Sequence, residues 1–199
     1  MDNWKHIPTL QGEHVRLEPL QLEHVPALQA AAADGELWKL WYTSVPVFEK
    51  TQAYVETALA EHAVGVSLPF VVRDASGTVV GSTRYGRIEC AHRRVEIGWT
   101  WYARRVQRTA LNTEAKLLLL THAFETMDTI CVQFLTNWFN FASRAAITRL
   151  GAKQDGVLRN HMLNSDGSYR DTVVFSIIQS EWPAVKRHLR HKLGREAAA

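Results

Sequence analysis

Apolar and polar residues recur along this chain with two different periods, and these periods predict its strands and helices. Seven segments alternate, or are rich in β-branched residues, as strands are: 14–20, 69–74, 78–86, 93–103, 129–136, 156–164 and 168–178. Six segments carry apolar residues at helical spacing: 22–32, 36–41, 50–63, about 112–127, 139–150 and 180–193. Gly151 is expected to end the helix before it, and Ser180 is the expected N-cap of the closing helix.

Short polar turns join two pairs of these strands. Ala75-Ser76-Gly77 and Ser165-Asp166-Gly167 are typical of hairpin connections. The order of elements predicts an α/β protein in which an antiparallel meander leads into a strand–helix–strand–helix unit. We expect a central, mostly antiparallel sheet of about seven strands with helices on both faces. No linker interrupts the pattern, so we predict a single domain over residues 1–199, with a core of about 12–180 and a basic closing helix at 180–193.

The strand RRVEIGWTWYA at 93–103 has the clearest alternation. Regular alternation places four of its residues on one face: Val95, Ile97, Trp99 and Trp101. It places four others on the opposite face: Glu96, Gly98, Thr100 and Tyr102.

Composition and charge narrow the function classes. The 199 residues are 46% hydrophobic with a net charge of +3, which suits an anionic ligand but is too weak to argue for nucleic acid. The first residues, MDNWKHIPTL, lack a signal-peptide core, and no apolar run reaches membrane-spanning length. Cys90 and Cys131 form no C-x-x-C motif, so we expect reduced thiols in a cytoplasmic protein.

Three arginines stand where the chain enters a predicted helix, in RRVQRTALNTEAKLLLL at 104–120. No acid occurs between Glu96 and Glu114, although a helix N-terminus favours anions. Arginines belong there when a polyanion such as phosphate binds the same backbone amides. The pattern predicts an anion-binding turn with Thr109 and Asn112 as capping residues; a solvated basic loop is the alternative. Neither the nucleotide P-loop motif nor the dinucleotide fingerprint is present.

This segment resembles the acetyl-CoA signature of the GCN5-related N-acetyltransferases (GNAT). The strand EIGWTW, then R-x-x-R-x-A, then NTEAKLLLL follows the family's order, with Arg105 at the first position of the turn and Ala110 at the last. Thr113-Glu114-Ala115 is similar to the branch of ribosomal-protein alanine acetyltransferases, the RimJ/RimL type. Arg108 stands where the family has its first glycine.

A second resemblance lies downstream, in Asn140-x-x-Ser143 followed by Leu150-Gly151. Helical spacing groups two sets of side chains: Asn140, Ser143, Arg144 and Ile147 on one face, and Ala142, Ala146 and Leu150 on a face towards the core. Ile147 replaces the tyrosine that the family often uses as general acid, and Ala152 replaces its usual phenylalanine. The element order also matches, so the resemblance covers nearly the whole chain.

The resemblance implies direct acetyl transfer from acetyl-CoA to an amine, either a peptide N-terminus or a small molecule, and a homodimer is common in similar proteins. It implies a coenzyme-binding set: Trp99, Thr100, Trp101, Arg105, Arg108, Thr109, Ala110, Leu111, Asn112, Thr113, Asn140, Ser143 and Arg144. Ser143 is the candidate partner of the coenzyme sulfur, or else a helix-surface serine. Glu96 is the candidate general base, or else a carboxylate paired with Arg93 or Arg94.

Other residues are open to two interpretations. Trp38, Trp41 and Tyr42 have core spacing, but the family builds its acceptor wall from this region; such rings suit an apolar or cationic acceptor. His188 and His191 lack a third ligand, so no metal is expected. A non-catalytic acyl-CoA-binding protein is the main alternative function. A nucleic-acid binder through the basic closing helix is disfavoured.

Overall fold

A computed structural model describes residues 2–164 and 166–195. It contains eight strands: β1 (Leu10–Gln11), β2 (Val15–Pro19), β3 (Leu68–Asp74), β4 (Val79–Glu89), β5 (Arg94–Tyr102), β6 (Cys131–Asn137), β7 (Lys153–Leu163) and β8 (Tyr169–Ile178). Five α-helices accompany them: α1 (Val25–Ala33), α2 (Thr51–Ala63), α3 (Ala110–Glu125), α4 (Phe141–Arg149) and α5 (Trp182–Lys192). No helix in this described part is long and apolar enough to cross a membrane.

All eight strands form one sheet in the order β1-β2-β3-β4-β5-β6-β8-β7. Neighbours are antiparallel except β5 and β6, which run parallel because α3 connects them as a crossover. The α/β fold and the mostly antiparallel sheet are therefore confirmed. The two-residue strand β1 is an addition to the seven strands that the sequence pattern predicted.

Helices cover both faces of the sheet, as predicted. On one face, Arg84 of β4 is paired with Glu61 of α2 at 2.8 Å. On the other, Tyr85 donates its hydroxyl to the Leu119 carbonyl of α3 at 2.6 Å. These two contacts identify an α2 face and an α3 face, because adjacent residues of a strand point in opposite directions.

Strands β5 and β6 separate soon after they pair. Their ladder contains three pairs, of which Glu96 opposite Gln133 is the last. The next residues of both strands have no partner across the gap. Parallel strands that part in this way leave two rows of backbone amides and carbonyls without a sheet neighbour.

A β-bulge in β5 changes which side chains face which helices. Trp101 pairs with Ser82, and Gly98 pairs with Arg84. Between these two pairs β5 has two residues, whereas β4 has one. Trp99 takes up the extra residue with a φ of 49°. Its ring lies under the Arg84 guanidinium, 5.0 Å from the centroid.

The face assignment made from regular alternation is therefore wrong beyond the bulge. Trp99 and Trp101 lie on the α2 face with Glu96, not with Val95 and Ile97. Thr100 points to the α3 face. A single-strand pattern carries no signal for a bulge, because the extra residue shows only in the pairing with β4.

Several element ends also differ from the prediction. The segment 36–41 contains only a short turn at Leu37–Lys39, and α3 begins two residues earlier than expected, at Ala110. Glu181, not Ser180, occupies the N-cap of α5, and its side chain makes no capping bond. Gly151 ends α4 with a φ of 101°, as predicted. Both hairpins are present, although Ser165 of the second turn lies outside the described residues.

A buried carboxylate fastens the turn between β1 and β2 to α3. Glu114 is fully buried and accepts hydrogen bonds from the backbone N–H of Glu13 at 2.9 Å and of His14 at 2.5 Å. Arg195 pairs with the same carboxylate. A Cβ on Gly12 would lie 2.3 Å from the Glu114 carboxyl carbon, so only glycine fits beside it.

The substitution Glu114→Ala is expected to destabilise the protein by about 3 kcal/mol, because it leaves two backbone donors unpaired and removes the buried partner of the Arg195 guanidinium. Burial acts to raise the pKa of Glu114, but the backbone bonds and Arg195 outweigh it, so the pKa is lowered. This stabilisation is therefore present above about pH 4.5 and is lost as the pH falls below it. Urea unfolding of Glu13→Ala, an exposed partner of the same arginine, is the control, with an expected change under about 0.5 kcal/mol. Equal losses in the two variants would contradict this role.

Candidate active site

A cleft of about 330 Å³ opens where β5 and β6 part. Strand residues 97–102 and 134–137 form its two sides. Asn112 and Lys116 of α3 and several residues of α4 line it at one end, and the loop from Leu37 to Val45 lines it at another. The cleft thus lies between parted strands and beside two helix N-termini.

The structure brings part of the predicted set into this cleft. Seven predicted residues line it: Tyr42, Trp99, Thr100, Trp101, Asn112, Asn140 and Ser143. Leu111 and Thr113 are buried in the first turn of α3 instead. Thr109 is the N-cap of α3, and its side chain accepts from the Leu111 N–H at 3.3 Å. The capping role predicted for Thr109 is therefore confirmed, and α3 presents its first turn, from Ala110, towards the cleft.

Arg108 holds the backbone conformation that glycine adopts most easily. Its φ is 61°, in the left-handed region, at the last residue before the Thr109 cap. A non-glycine residue there costs on the order of 1 kcal/mol. The arginine therefore preserves the path of the turn at some cost and adds an exposed guanidinium.

The Arg105 guanidinium is paired with an acid and does not point towards the turn before α3. Its Nη1 lies 2.8 Å from an oxygen of Asp74, and its backbone N–H donates to Asp34. These acids come from distant segments, so the local sequence gave no sign of them. Arg104 and Arg108 make no ion pair among the described residues, and both line a second hollow beside the turn. Of the three arginines in this segment, these two lack an acidic partner in the described part of the chain, and the hollow is also lined by the paired Glu36 and Lys39.

Asn140 and Ser143 open α4 at the edge of the cleft. The Asn140 side chain accepts from the Ser143 N–H at 3.0 Å, so it is the N-cap of this helix. Ile147 lies one turn further along, where the family often has tyrosine, and closes the cleft with apolar surface. Ala142, Ala146 and Leu150, all expected to face the core, line the cleft as well, and Leu150 is also buried as expected.

Arg144, Trp38 and Trp41 do not line the cleft. The Arg144 guanidinium lies 4.4 Å from the ring centroid of Trp138 and donates to the Trp138 carbonyl. Trp38 is half-buried against the core. Trp41 is 60% exposed, and its ring lies 5.6 Å from that of Phe139. The core position that helical spacing predicted for Trp41 is therefore wrong.

Glu96 belongs to the last pair before the strands part, next to the cleft, but its own side chain does not line the cleft. It is buried, and its Oε2 is 3.3 Å from Arg87 Nε without hydrogen-bond geometry. A Cβ on Gly98 would lie 2.7 Å from Glu96 Oε1, so the glycine leaves room for the carboxylate. Burial raises the pKa of Glu96 to about 7, although the charges of Arg87 and Arg170 act to lower it. The pairing expected with Arg93 or Arg94 is not observed.

Family comparison agrees with this geometry. Residues 14–153 match the model described as the acetyltransferase (GNAT) domain. The chain belongs to the GNAT acetyltransferase family.

Individual relatives within this family range from moderate to low identity. YdaF of Bacillus subtilis (strain 168), described as a candidate ribosomal N-acetyltransferase, is 29% identical over 110 residues, which are 55% of this chain and 59% of that protein. The chain thus spans little more than half the length of that curated relative.

Solved structures of GNAT proteins match over more of the chain. A candidate acetyltransferase from T. thermophilus is 35% identical, with a TM-score of 0.82 over 94% of this chain and 98% of that one. RimJ of Mycobacterium smegmatis, solved in complex with CoA-disulfide, shares the fold at 22% identity, with a TM-score of 0.78 over 98% and 99% of the chains. The resemblance to the RimJ/RimL type of GNAT protein is thus confirmed at the level of the fold.

Lys116 is a cleft residue of this GNAT protein that the sequence pattern did not reveal. It is 5% exposed, and its Nζ donates to Thr100 Oγ1 at 2.7 Å, with no carboxylate paired to it among the described residues. Burial lowers its pKa to about 7. In the sequence it is one lysine in a leucine-rich helix, which is typical of a solvated position. Arg170 of β8 is a second such residue, and it too lines the cleft.

No metal cluster accompanies these residues. Within residues 2–164 and 166–195, no three His, Cys, Asp or Glu side chains are placed to hold a metal ion. His188, one of the two closing-helix histidines considered as metal ligands, has its Nε2 3.1 Å from the Arg149 carbonyl oxygen.

The substitution Lys116→Met is expected to stabilise the folded protein at pH 7, by on the order of 2 kcal/mol. The folded pKa of about 7 lies below the ordinary 10.5, so the lysine destabilises the fold increasingly as the pH falls from 10.5 to 7. The advantage of the variant should therefore shrink between pH 7 and pH 10. Urea unfolding at both pH values measures it, with the exposed Lys39→Met as control. A difference that does not change with pH would contradict a buried, unpaired Lys116.

Proposed function

We propose that this protein transfers the acetyl group of acetyl-CoA directly to a primary amine. The observation that supports this most strongly is the parting of β5 and β6 beyond Glu96 and Gln133. The free strand edges offer a row of donors and acceptors to the amide-bearing pantetheine arm, which binds as an added strand. The buried Asn112 Oδ1 has no hydrogen-bond partner among the described residues and lies in the same cleft, where a pantetheine N–H would satisfy it.

The turn before α3 supplies the anion site for the coenzyme. Amides in the first turn of a helix lack intrahelical partners, and the helix dipole favours phosphate there. Arg104 and Arg108 add two cations without acidic partners among the described residues. Acetyl-CoA would thus lie with its phosphates at α3 and its thioester towards Glu96.

The transfer needs few groups. The neutral amine attacks the thioester carbonyl carbon, the C–N bond forms and the C–S bond breaks. Glu96 receives the proton of the amine, directly or through a water, and a backbone N–H of the β5 bulge polarises the carbonyl. Ser143 donates a hydrogen bond to the departing sulfur. A carboxylate with a pKa near 7 suits the base role, because it is ionised at neutral pH yet basic enough to accept a proton.

Two acceptor classes fit this chemistry: a peptide N-terminus and a small amine. The description of the YdaF relative as a candidate ribosomal N-acetyltransferase favours the peptide. The loop around Tyr42, which lines the cleft, and the exposed Trp41 beside Phe139 are the proposed acceptor wall.

The alternative of a non-catalytic acyl-CoA-binding protein rested on two departures from the family pattern. Arg108 keeps the backbone path of the turn, so the first departure does not close the coenzyme site. Ile147 removes one proton donor but leaves Glu96 and Ser143 beside the cleft. Turnover with a panel of amines separates the two functions, since a binding protein would take up acetyl-CoA without releasing free thiol.

Calorimetric titration with acetyl-CoA tests coenzyme binding, with desulfo-coenzyme A and ATP as comparison ligands. Arg108→Ala and Arg108→Gly should each weaken binding about tenfold, because both remove a charge-assisted phosphate contact. The glycine variant should also be more stable by about 1 kcal/mol, since it relieves the positive φ. Arg159→Ala, an exposed arginine on β7, is the control. Unchanged affinity in both Arg108 variants would refute the phosphate role.

The rate–pH profile tests Glu96. For the wild type, kcat/KM should rise with pH through about 7 as the carboxylate ionises. Glu96→Gln should lower kcat by about 100-fold and remove this limb, leaving only the ionisation of the acceptor amine. The exposed Glu89→Gln is the matched control. A variant profile that superimposes on that of the wild type would exclude Glu96 as the base.

A further inference from the structure

We propose that the acceptor amine carries a carboxylate close to it, and that Arg170 binds this carboxylate. The inference rests on the proposed acetyl transfer and narrows its acceptor class. The proposed acceptor therefore carries an amine and a carboxylate on the same molecule. That chemistry occurs at a peptide N-terminus followed by an acidic side chain and also in a free amino acid.

Sheet register places Arg170 on the α2 face of the sheet, the same face as Glu96. Glu96 is opposite Gln133, and Gln133 is opposite Ser176, so these three side chains share a face. Alternation along β8 puts Arg170 on that face too. It is the α2 face, to which Trp99 and Trp101 also point. Lys116, by contrast, approaches Thr100 from the α3 face.

Arg170 makes no direct ion pair within the described part of the protein. It lines the cleft, its Nε is buried without a hydrogen-bond partner, and it forms no ion pair among the described residues. Burial lowers its pKa, whereas the Glu96 carboxylate acts to raise it and the charge of Arg87 acts to lower it. A half-buried guanidinium that has no direct ion pair is only partly neutralised, so an anionic ligand group gains a strong, directional contact there.

Neighbouring groups leave this subsite positive. Glu96 acts electrostatically on Arg170, but its short contact is with Arg87 at 3.3 Å, so two guanidinium groups share one carboxylate. Burial lowers the pKa of the nearby His161, which therefore stays neutral at pH 7. Lys116 and Arg170 are the only charged residues that line the cleft in the described part of the chain, and no carboxylate lines it.

Arginines of the protein itself already lie over four aromatic rings in the region whose rings suggested an apolar or cationic acceptor. The Arg84 guanidinium already lies 5.0 Å from the ring centroids of both Tyr54 and Trp99. Arg144 occupies the rings of Trp138 and Phe141 in the same way. The protein's own arginines thus satisfy these rings, and the charge that remains for the acceptor to complement is that of Arg170.

The test uses the full-length protein and matched tetrapeptide amides that begin Ser-Glu, Ser-Gln or Ser-Lys, with serine and serinamide as the small-molecule arm. Thiol release from acetyl-CoA gives kcat/KM. Equilibrium binding to the desulfo-coenzyme A complex, followed by tryptophan fluorescence, reports the same preference whether or not acetyl transfer occurs. The wild type should prefer the acidic member of a pair by about tenfold or more over the neutral one. A preference in the peptides or in the serine pair distinguishes the two sources.

Single substitutions test whether the preference for acidic acceptors depends on Arg170. Arg170→Gln should abolish it without changing acetyl-CoA affinity, and Arg170→Lys should retain part of it. Arg159→Gln removes an exposed arginine from the adjacent strand and should leave it unchanged.

Three results would overturn the proposal: equal use of acidic and neutral acceptors, a preference for lysine, or a weaker acetyl-CoA affinity in Arg170→Gln. The last would make Arg170 a coenzyme contact. Failure of the proposed function is a separate outcome, because the wild type would then bind acetyl-CoA without acetylating any acceptor. The binding preference for acids would still be measured in that case.

Discussion

The separation of two parallel strands is the constraint on which the rest of this structure depends. A parallel pair normally continues as far as both strands extend, because every unpaired amide beside it costs free energy. Here β5 and β6 stop pairing after Glu96 and Gln133, although both strands continue. The interior of the sheet thereby acquires two edges, and α3 and α4 begin close to where those edges end.

The buried charged groups of this protein fall into two classes: those paired with oppositely charged or hydrogen-bonding groups, and those without an ion-pair partner. Arg84 is fully buried but has Glu61 and two aromatic rings around it, and Glu114 has two backbone donors and Arg195. These groups hold elements together. Lys116 and Arg170, which line the cleft, have no such partners among the described residues. Two cations without ion-pair partners in one cleft are the arrangement that a site for an anionic ligand group requires, which supports the proposal made above.

Much of the fold could be predicted from the sequence, because periodicity and turn composition are local signals. The strands, the major helices and both hairpins follow from them, and Thr109 was found as a cap from its position alone. What could not be predicted came from contacts between distant segments. Asp34 and Asp74 neutralise Arg105, which the local run of arginines did not suggest. Lys116 looks like an ordinary helix lysine until the sheet lies against it, and the faces of Trp99 and Trp101 depend on a bulge that only β4 reveals.

That bulge also fixes the number of residues in β5, which is a stricter condition than their identity. Removing one residue between Gly98 and Trp101 would let the strand pair regularly with β4, and both of these residues would keep their partners. The single residue left between them would point to the α3 face, as Thr100 does now. The ring of Trp99, which lies beside the Arg84 guanidinium on the α2 face, would then have no position in the strand. The length of this segment, rather than any single substitution, therefore allows β5 to present a ring to one helix layer and a hydroxyl to the other opposite a single residue of β4.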